Sequence, residues 1–278
     1  MPVRIVTDSA CDLPESMCKD LGIEVVPLTI RFGDREYVDR EQLSTDDFWR
    51  LLESSPTLPE TAAPSIGAFE ERFRSLSDAG VDGIVCINLS ARLSATMQSA
   101  QVAAKAIDGA TPITIIDSQS ASMGIGNLVL HAARRAQAGA TLDEIVHEVE
   151  TRRARQHVYA ALDTLEYLRK GGRIGGAQAF LGSMLSIKPI IEVVDGAVEE
   201  GGKVRTRSKA LRFLVDKLPD KVELLSILHS GAPDLDEFLA MVEPRVSGAE
   251  VVIGKIGPVV GVHTGPRLVG IAFIEREA

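Results

Sequence analysis

The sequence predicts an α/β protein of two lobes, a parallel sheet flanked by helices over residues 1–156 and a mixed sheet with helices over 157–278. Three observations carry that expectation. Short apolar runs alternate with helix-period segments through the first half, as strand–helix–strand units require. Ile84, Val85, Cys86 and Ile87 are apolar on consecutive positions, which suits a strand buried on both faces of a parallel sheet. After residue 156 the rhythm changes to hairpin turns and closely spaced strands. A chain of 278 residues is also long for a single core.

The first half reads in order as follows. Residues 3–7 form a buried strand that runs into the polar cluster Thr7-Asp8-Ser9. Pro14 near a first turn and Gly22 at the far end delimit a helix. Residues 23–32 make one long strand, which Gly33-Asp34 turns into a short return strand over 35–38. Ser44 caps a helix with Phe48, Leu51 and Leu52 inward. Residues 54–65, with three prolines in twelve, form a long loop, and such loops tend to be functional. Ser65 caps the next helix, which Gly80 ends. The buried strand at 84–87 then leads through Ser90 to a helix for which Ser94 is the predicted N-cap. A strand at 112–116, a helix over 123–138 and a helix opened by a Thr141–Glu144 capping box complete the lobe.

In the second half, residues 158–162 form a strand and a glycine-rich helix runs from 165 towards 185. Gly171, Gly172, Gly175, Gly176 and Gly182 would each cost that helix roughly 0.5–1 kcal/mol relative to Ala. Either close helix packing offsets the cost, or the missing side chains leave a space lined by Phe180, Leu181, Met184 and Leu185. Asp195-Gly196 turns a hairpin, helices follow over 208–218 and 235–246, and residues 222–228, 250–256, 259–263 and 268–275 read as strands.

Composition excludes several function classes. The net charge of −9 argues against nucleic acid as the main partner. Residues 1–150 carry −11 and residues 151–278 carry +2, so any basic surface belongs to the second half. Cys11, Cys18 and Cys86 are odd in number and lack CxxC spacing, which fits a reducing cytoplasm better than a disulfide framework. No signal peptide precedes the first strand, and no apolar run approaches the roughly 20 residues of a membrane helix. P-loop, dinucleotide, HExxH and GxSxG signatures are missing, and the five histidines have no metal-ligand spacing. The chain is thus expected to hold no metal or cofactor and to be cytoplasmic.

Hydroxyl-bearing segments beside apolar strand ends remain. Thr7/Asp8/Ser9, Thr61, Ser90/Ser94 and Asp117/Ser118 all belong to the first half, and the crevice of an open α/β sheet lies beyond the carboxyl ends of its strands. Hydroxyls with helix N–H groups suit a carboxylate or phosphate held without a metal. On its own stretch Ser94 need do no more than cap a helix. Lys188, Lys203, Arg205, Arg207, Lys209 and Arg212 form the main basic feature, which is either a solvated face or a surface for a phosphate-bearing partner. His263 stands in Gly261-Val-His-Thr-Gly-Pro266, where a lone histidine is more often structural than catalytic.

Eight segments in order resemble the DegV family, bacterial fatty-acid-binding proteins that act as the lipid-carrying component of fatty acid kinase. They are Thr7-Asp8-Ser9 with Asp12-Leu13-Pro14, Thr61-Ala-Ala-Pro-Ser65, Leu93-Ser94-Ala-Thr96, Ile116-Asp117-Ser118, Leu165-Glu-Tyr-Leu168 with Gly171-Gly-Arg-Ile174, Ile187-Lys-Pro-Ile190, Lys203-Val-Arg205 and Gly261-Val-His-Thr-Gly-Pro266. The resemblance implies two α/β domains with a palmitate-like fatty acid between them. It implies that Thr61 and Ser94 bind the carboxylate, that His263 supports their polar network, and that Arg173 and Arg205 engage the kinase or the phosphoryl group. Ala62 and Ala63 replace the family's usual Ser and Gln, and Ala95 its usual Gly, but the hydroxyls remain.

The function so implied is a carrier: it presents a long-chain fatty acid to a separate ATP-dependent kinase that forms an acyl phosphate. Transient membrane contact follows where the lipid is collected from a bilayer. Thr61 and Ser94 should then matter to occupancy while Ser122 should not. The rival reading is an acyl hydrolase with Ser94 as nucleophile, His263 as base and Asp117 or Asp8 as orienter. A DNA-binding regulator using the basic run is disfavoured by the net charge and by the lack of a helix-turn-helix pattern.

Overall fold

A computed structural model describes residues 2–107, 111–246 and 248–277, without the side chains of 181–186. The strands are β1 (Arg4–Asp8), β2 (Glu24–Val26), β3 (Thr29–Phe32), β4 (Arg35–Val38), β5 (Glu60–Ala62), β6 (Ile84–Asn88), β7 (Ile113–Asp117), β8 (Gln156–Ala161), β9 (Lys188–Val194), β10 (Ala197–Val204), β11 (Val222–His229), β12 (Glu250–Lys255) and β13 (Val269–Glu275). The α-helices are α1 (Glu15–Leu21), α2 (Thr45–Ser54), α3 (Ile66–Asp78), α4 (Thr96–Ala106), α5 (Met123–Gln137), α6 (Leu142–Arg153), α7 (Glu166–Lys170), α8 (Arg207–Asp216), α9 (Leu235–Val242) and α10 (Pro258–Thr264).

The first half forms a parallel sheet in the order β2-β1-β6-β7. All five residues of β6 are buried, as its unbroken apolar run requires of a strand covered on both faces. The second half forms a mixed sheet, β10-β9-β8-β13-β11-β12, antiparallel except for β11 with β12. A small antiparallel sheet, β4-β3-β5, lies apart from both.

Helix α5 is the shared interior. It packs on β1 and β6 of the parallel sheet and on β8, β11 and β13 of the mixed one. Eleven of its residues are buried, all of 123–130 among them, and charged side chains enter only near its C-terminus at Arg134 and Arg135. Its one buried amide is satisfied by the second sheet: Asn127 Nδ2 donates to Ala272 O at 3.1 Å, and Ser226 Oγ donates to Asn127 Oδ1 at 2.5 Å. One apolar cluster therefore runs through both halves, from Ile5 and Val85 to Leu228 and Ile274.

Four sequence expectations are corrected. The long strand over 23–32 is two strands, broken at Pro27-Leu28 and assigned to different sheets; Leu28 N–H donates to Ser9 Oγ instead of to a ladder. The proline-rich loop contains β5, which pairs Thr61 with Ile30. The glycine-rich helix is short: α7 stops at Gly171, the left-handed Gly172 (φ 70°) reverses the chain, and a 3-10 segment covers Gly175–Ser186. Residues 258–264 are helical rather than extended, because Pro258 is set at a first turn and small glycines let the helix pack closely.

Candidate functional site

A cavity of about 210 Å³ lies between the mixed sheet and the loops that follow the strands of the first half. Its wall is aliphatic. Leu28, Leu89 and Leu93 come from the first half, and Val158, Ala160, Ile191, Val193, Val198 and Leu228 from the second. Alternate residues of β8 and β9 point into it, as the two-residue period of a strand dictates. Of the residues expected to line space beside the glycine-rich stretch, Phe180 is buried outside the cavity wall, and the side chains of Leu181, Met184 and Leu185 lie outside the described residues.

The polar lining includes Thr61, Ser94, Arg173 and His263. Three of these, Thr61, Arg173 and His263, also line an adjoining cleft of about 320 Å³ with Lys170 and Glu60. The polar group of residues thus faces the apolar cavity on one side and a polar cleft on the other.

Each side chain is held from a different element. Thr61 sits on β5, so the small sheet fixes its direction. Its Oγ1 lies 3.0 Å from Nε2 of His263 on α10. Helix α10 approaches α2 closely at Gly261, where a Cβ would fall 2.6 Å from the Phe48 ring and 2.9 Å from that of Trp49. Trp49 Nε1 in turn donates to Ile256 O at 3.1 Å, just ahead of the helix. On the other side of the imidazole, a Cβ on Gly171 would lie 2.2 Å from Nδ1. Glycine at 171 is what leaves room for the ring.

Arg173 ties the loops together. Its Nε donates to Leu93 O at 3.1 Å and its Nη1 to Gly171 O at 2.7 Å, which clips the segment before Ser94 to the turn after α7. Burial, and then the charge of Arg173, hold His263 down to about 4, so the ring is neutral at pH 7. A neutral hydrogen-bonding ring beside a guanidinium that makes no ion pair among the described residues favours an anion over a cation.

Ser94 is one residue away from its predicted cap position, which Ala95 occupies. Its Oγ accepts from Thr96 N–H at 3.3 Å and lies 2.9 Å from Thr96 Oγ1, so it still serves the first turn of α4. The other hydroxyl clusters are structural. Thr7 donates to Ile87 O at 2.8 Å, Asp8 accepts from the Leu89 and Ala10 amides at 2.8 and 3.0 Å, and Ser90 donates to Gly196 O at 2.7 Å. Ser122 lines the cavity but donates its hydroxyl to Asp12 at 2.5 Å, so it is not the neutral comparison the sequence offered.

The groups of the hydrolase reading are engaged elsewhere. His263 Nε2 meets Thr61, its buried Nδ1 has no partner among the described residues, and Asp117 accepts from the Gln119 and Ala91 amides at 2.8 and 3.3 Å. Arg205 is exposed just after β10 and does not line the cavity. Of the basic run, Arg207 is taken up by a two-pronged pair with Asp234 at 2.7 and 2.9 Å. Trp49 does not stand out in the sequence; Gly171 and Gly261 do, but the GGR and GVHTGP spacings do not say that they make room for the His263 ring and for α2. No cluster of metal-ligating side chains occurs among the described residues. No helix among them is long and apolar enough to cross a membrane.

The chain is similar to proteins of one family over its whole length. The family described as uncharacterised protein, DegV family, matches residues 2–276. A DegV domain-containing protein of Streptomyces coelicolor is 39% identical over 280 residues, 99% of each chain. Among solved structures, a fatty-acid-binding DegV family protein of Thermus thermophilus superposes with a TM-score of 0.89 at 31% identity, covering 99% of this chain and 100% of its own. A stearic-acid-binding protein of Eubacterium ventriosum gives 0.88 at 27% identity over 98% of each chain.

Proposed function

We propose, from the premise that the chain belongs to the DegV family, that it binds a long-chain fatty acid with the tail in the cavity and the carboxylate at Thr61, Ser94, Arg173 and His263. The observation that carries this reading is the cavity itself, an aliphatic space with its polar groups gathered where it meets a polar cleft. An apolar cavity offers water too few partners to fill it well, whereas each buried methylene gains about 0.8 kcal/mol. A dozen methylenes contribute roughly 10 kcal/mol before association costs, so the tail supplies the affinity and the head group the register. The relatives of known structure that bind fatty acids support it.

The adjoining cleft suits presentation of the carboxyl group to a separate ATP-dependent kinase, since three of the head-group residues are shared with it. This chain carries no nucleotide-binding motif, so the phosphoryl donor would come with the partner. Exposed Arg205 is a candidate contact for that partner, and Arg173, already at the head group, for the transferred phosphoryl. A cytoplasmic setting agrees with three free cysteines, all buried.

The test is organic extraction of purified protein followed by mass spectrometry. A fatty acid near one equivalent is expected; its clean absence after incubation with fatty-acid vesicles would sink the reading. Arg205→Ala should keep the lipid while slowing acyl phosphate formation with a cognate kinase.

A further inference from the structure

The apolar cavity borders polar space at two places. One is the cleft at Thr61, Arg173 and His263. The other is a cleft of about 210 Å³ that shares Val158 and Val193 with the cavity and no lining residue with the first cleft. It lies where the loop after β7 faces the start of β8 and the end of β9.

Two buried polar atoms on this second border, Ser120 Oγ and Gln156 Oε1, have no hydrogen-bond partner among the described residues. Ser120 is 2% exposed, so its hydroxyl is withdrawn from solvent as well. An unpaired buried hydroxyl costs free energy, and each one in a folded protein calls for a reason. A Cβ on Gly124 would lie 2.0 Å from Ser120 Oγ and 2.7 Å from Val158 Cγ2, so the hydroxyl stands against a valine that both spaces share.

The loop holding it is fixed. Ser120 N–H donates to Ser118 Oγ at 3.1 Å, and Ser120 O accepts from Ser90 N–H at 3.0 Å. Gln119 and Ser122, on either side, have positive φ of 50° and 55°, conformations that persist only where the surroundings impose them. The opposite wall is tied to the first half too: Ser90 Oγ donates to Gly196 O at 2.7 Å and Arg92 Nη1 to Asp195 O at 3.2 Å.

We propose, resting on the fatty-acid reading, that the site takes acyl chains bearing a hydroxyl group at the end remote from the carboxylate, with Ser120 and Gln156 as that hydroxyl's partners. A hydroxyl gives one hydrogen and accepts another; Gln156 Oε1 can accept and Ser120 Oγ can donate. Arg153 and His157 line the cleft against Glu192 and Asp195, so its charges are mixed and favour a neutral polar group over an ion. The chain reaches its partners past Val158 and Val193 and keeps apolar contact to its last carbons. Were the far end of the slot wholly apolar, a terminal hydroxyl would weaken binding roughly 5- to 150-fold.

The experiment loads the full chain with a fluorescent fatty acid and displaces it with hexadecanoic or ω-hydroxyhexadecanoic acid, and with shorter and longer pairs of the same kind. At the best-fitting length the hydroxylated acid should displace at least as well as the plain one. Ser120→Ala removes an oxygen that makes no contact, so the variant should bind the plain acid as the parent does, which also reports that it is folded. It should bind the hydroxylated acid about fivefold or more weakly. A hydroxylated acid weaker than its plain homologue at every length would overturn the proposal. So would an equal ratio of the two acids in parent and Ser120→Ala, which would leave the two atoms to a bound water. Failure of plain and hydroxylated acids alike would instead remove the fatty-acid reading, and this inference with it.

Discussion

Thr61 Oγ1 and His263 Nε2 stand 202 residues apart in the chain and 3.0 Å apart in space. The pair sets the direction of a proton. The threonine hydroxyl has one hydrogen to give. If it donates to the ring, none is left for a carboxylate; if Nε2 carries the ring proton and donates, the hydroxyl is free to turn towards the ligand. The neutral state of His263 permits either tautomer, and Nδ1, without a partner, imposes neither. A bound carboxylate would select the tautomer with its hydrogen on Nε2.

Thr61→Val should therefore lower fatty-acid retention about tenfold or more, since a charge-assisted hydrogen bond is worth roughly 1.5–3 kcal/mol. Ser94→Ala should act in the same direction, and the double variant more strongly. Exposed Ser208 provides the comparison, because Ser208→Ala touches neither the cavity nor Asp12. Exchange of a fluorescent fatty acid measures this; equal retention in parent and double variant would remove both hydroxyls from the head-group role.

Gly171→Ala tests the same site without touching a hydrogen-bonding group. The residue has an ordinary φ of −76°, so alanine costs the backbone nothing there. The added methyl would overlap Nδ1 of His263 at 2.2 Å, and the ring must turn away from Thr61. Lipid retention should fall at least as far as in Thr61→Val while the urea unfolding free energy falls by about 1–3 kcal/mol. Unchanged retention would mean that the imidazole position is irrelevant to binding.

How much of this was readable in advance follows from how local each signal is. Capping at Ser44, Ser65 and Thr141 is encoded within four residues, and each forms as expected. The buried run of β6 is local too. The residues at 259–263 misled because Val259-Val260-Gly261-Val262 has strand composition; Pro258 starts a helix there, and Gly261 lets it pack against Phe48 and Trp49, two hundred residues earlier. The same holds for Pro27-Leu28, where a distant serine replaces the ladder partner. Thr61, Ser94 and His263 stood out as hydroxyls at strand ends and a lone histidine, their roles and Arg173 came from the resemblance, and the cavity lining includes all four. Arg205 came from it as well and lies elsewhere on the surface. The packing duties of Gly171 and Gly261 are tertiary, and no spacing in the chain announces them.

Val193→Phe addresses the tail. Val193 lines the cavity and also a second surface cleft, beside Val158, so it separates the cavity from solvent at a point away from Thr61 and His263. A larger side chain there shortens the slot without entering the close-packed core, which keeps the folding cost to about 1–3 kcal/mol. Protein purified from the same host should carry shorter chains than the parent, read by mass spectrometry of the extracted lipid. An unaltered chain-length profile would place the tail elsewhere.

Two buried groups should give the delipidated protein opposing responses to pH. His263 is held down to about 4 from an ordinary 6.5 by burial and by Arg173. The unfolded chain takes up that proton first, so the contribution is fully present above 6.5 and is lost as pH falls through 4. Asp12 is pushed up to about 7 from an ordinary 3.8 by burial, against its hydrogen bonds from Ser122 and Gly257. Here the folded chain holds the proton, so the contribution is present below 3.8 and is lost as pH rises through 7. His263→Asn should flatten the acid-side loss, and Asp12→Asn, which tolerates the left-handed φ of 52° at that position, should flatten the loss towards neutrality. Each effect should reach no more than about 4 kcal/mol, measured as urea unfolding free energies at a series of pH values. Curves for both variants running parallel to the parent's would show that neither group titrates with folding. Added fatty acid should raise the histidine's affinity for its proton and shrink its part of the slope, while leaving that of Asp12 in place.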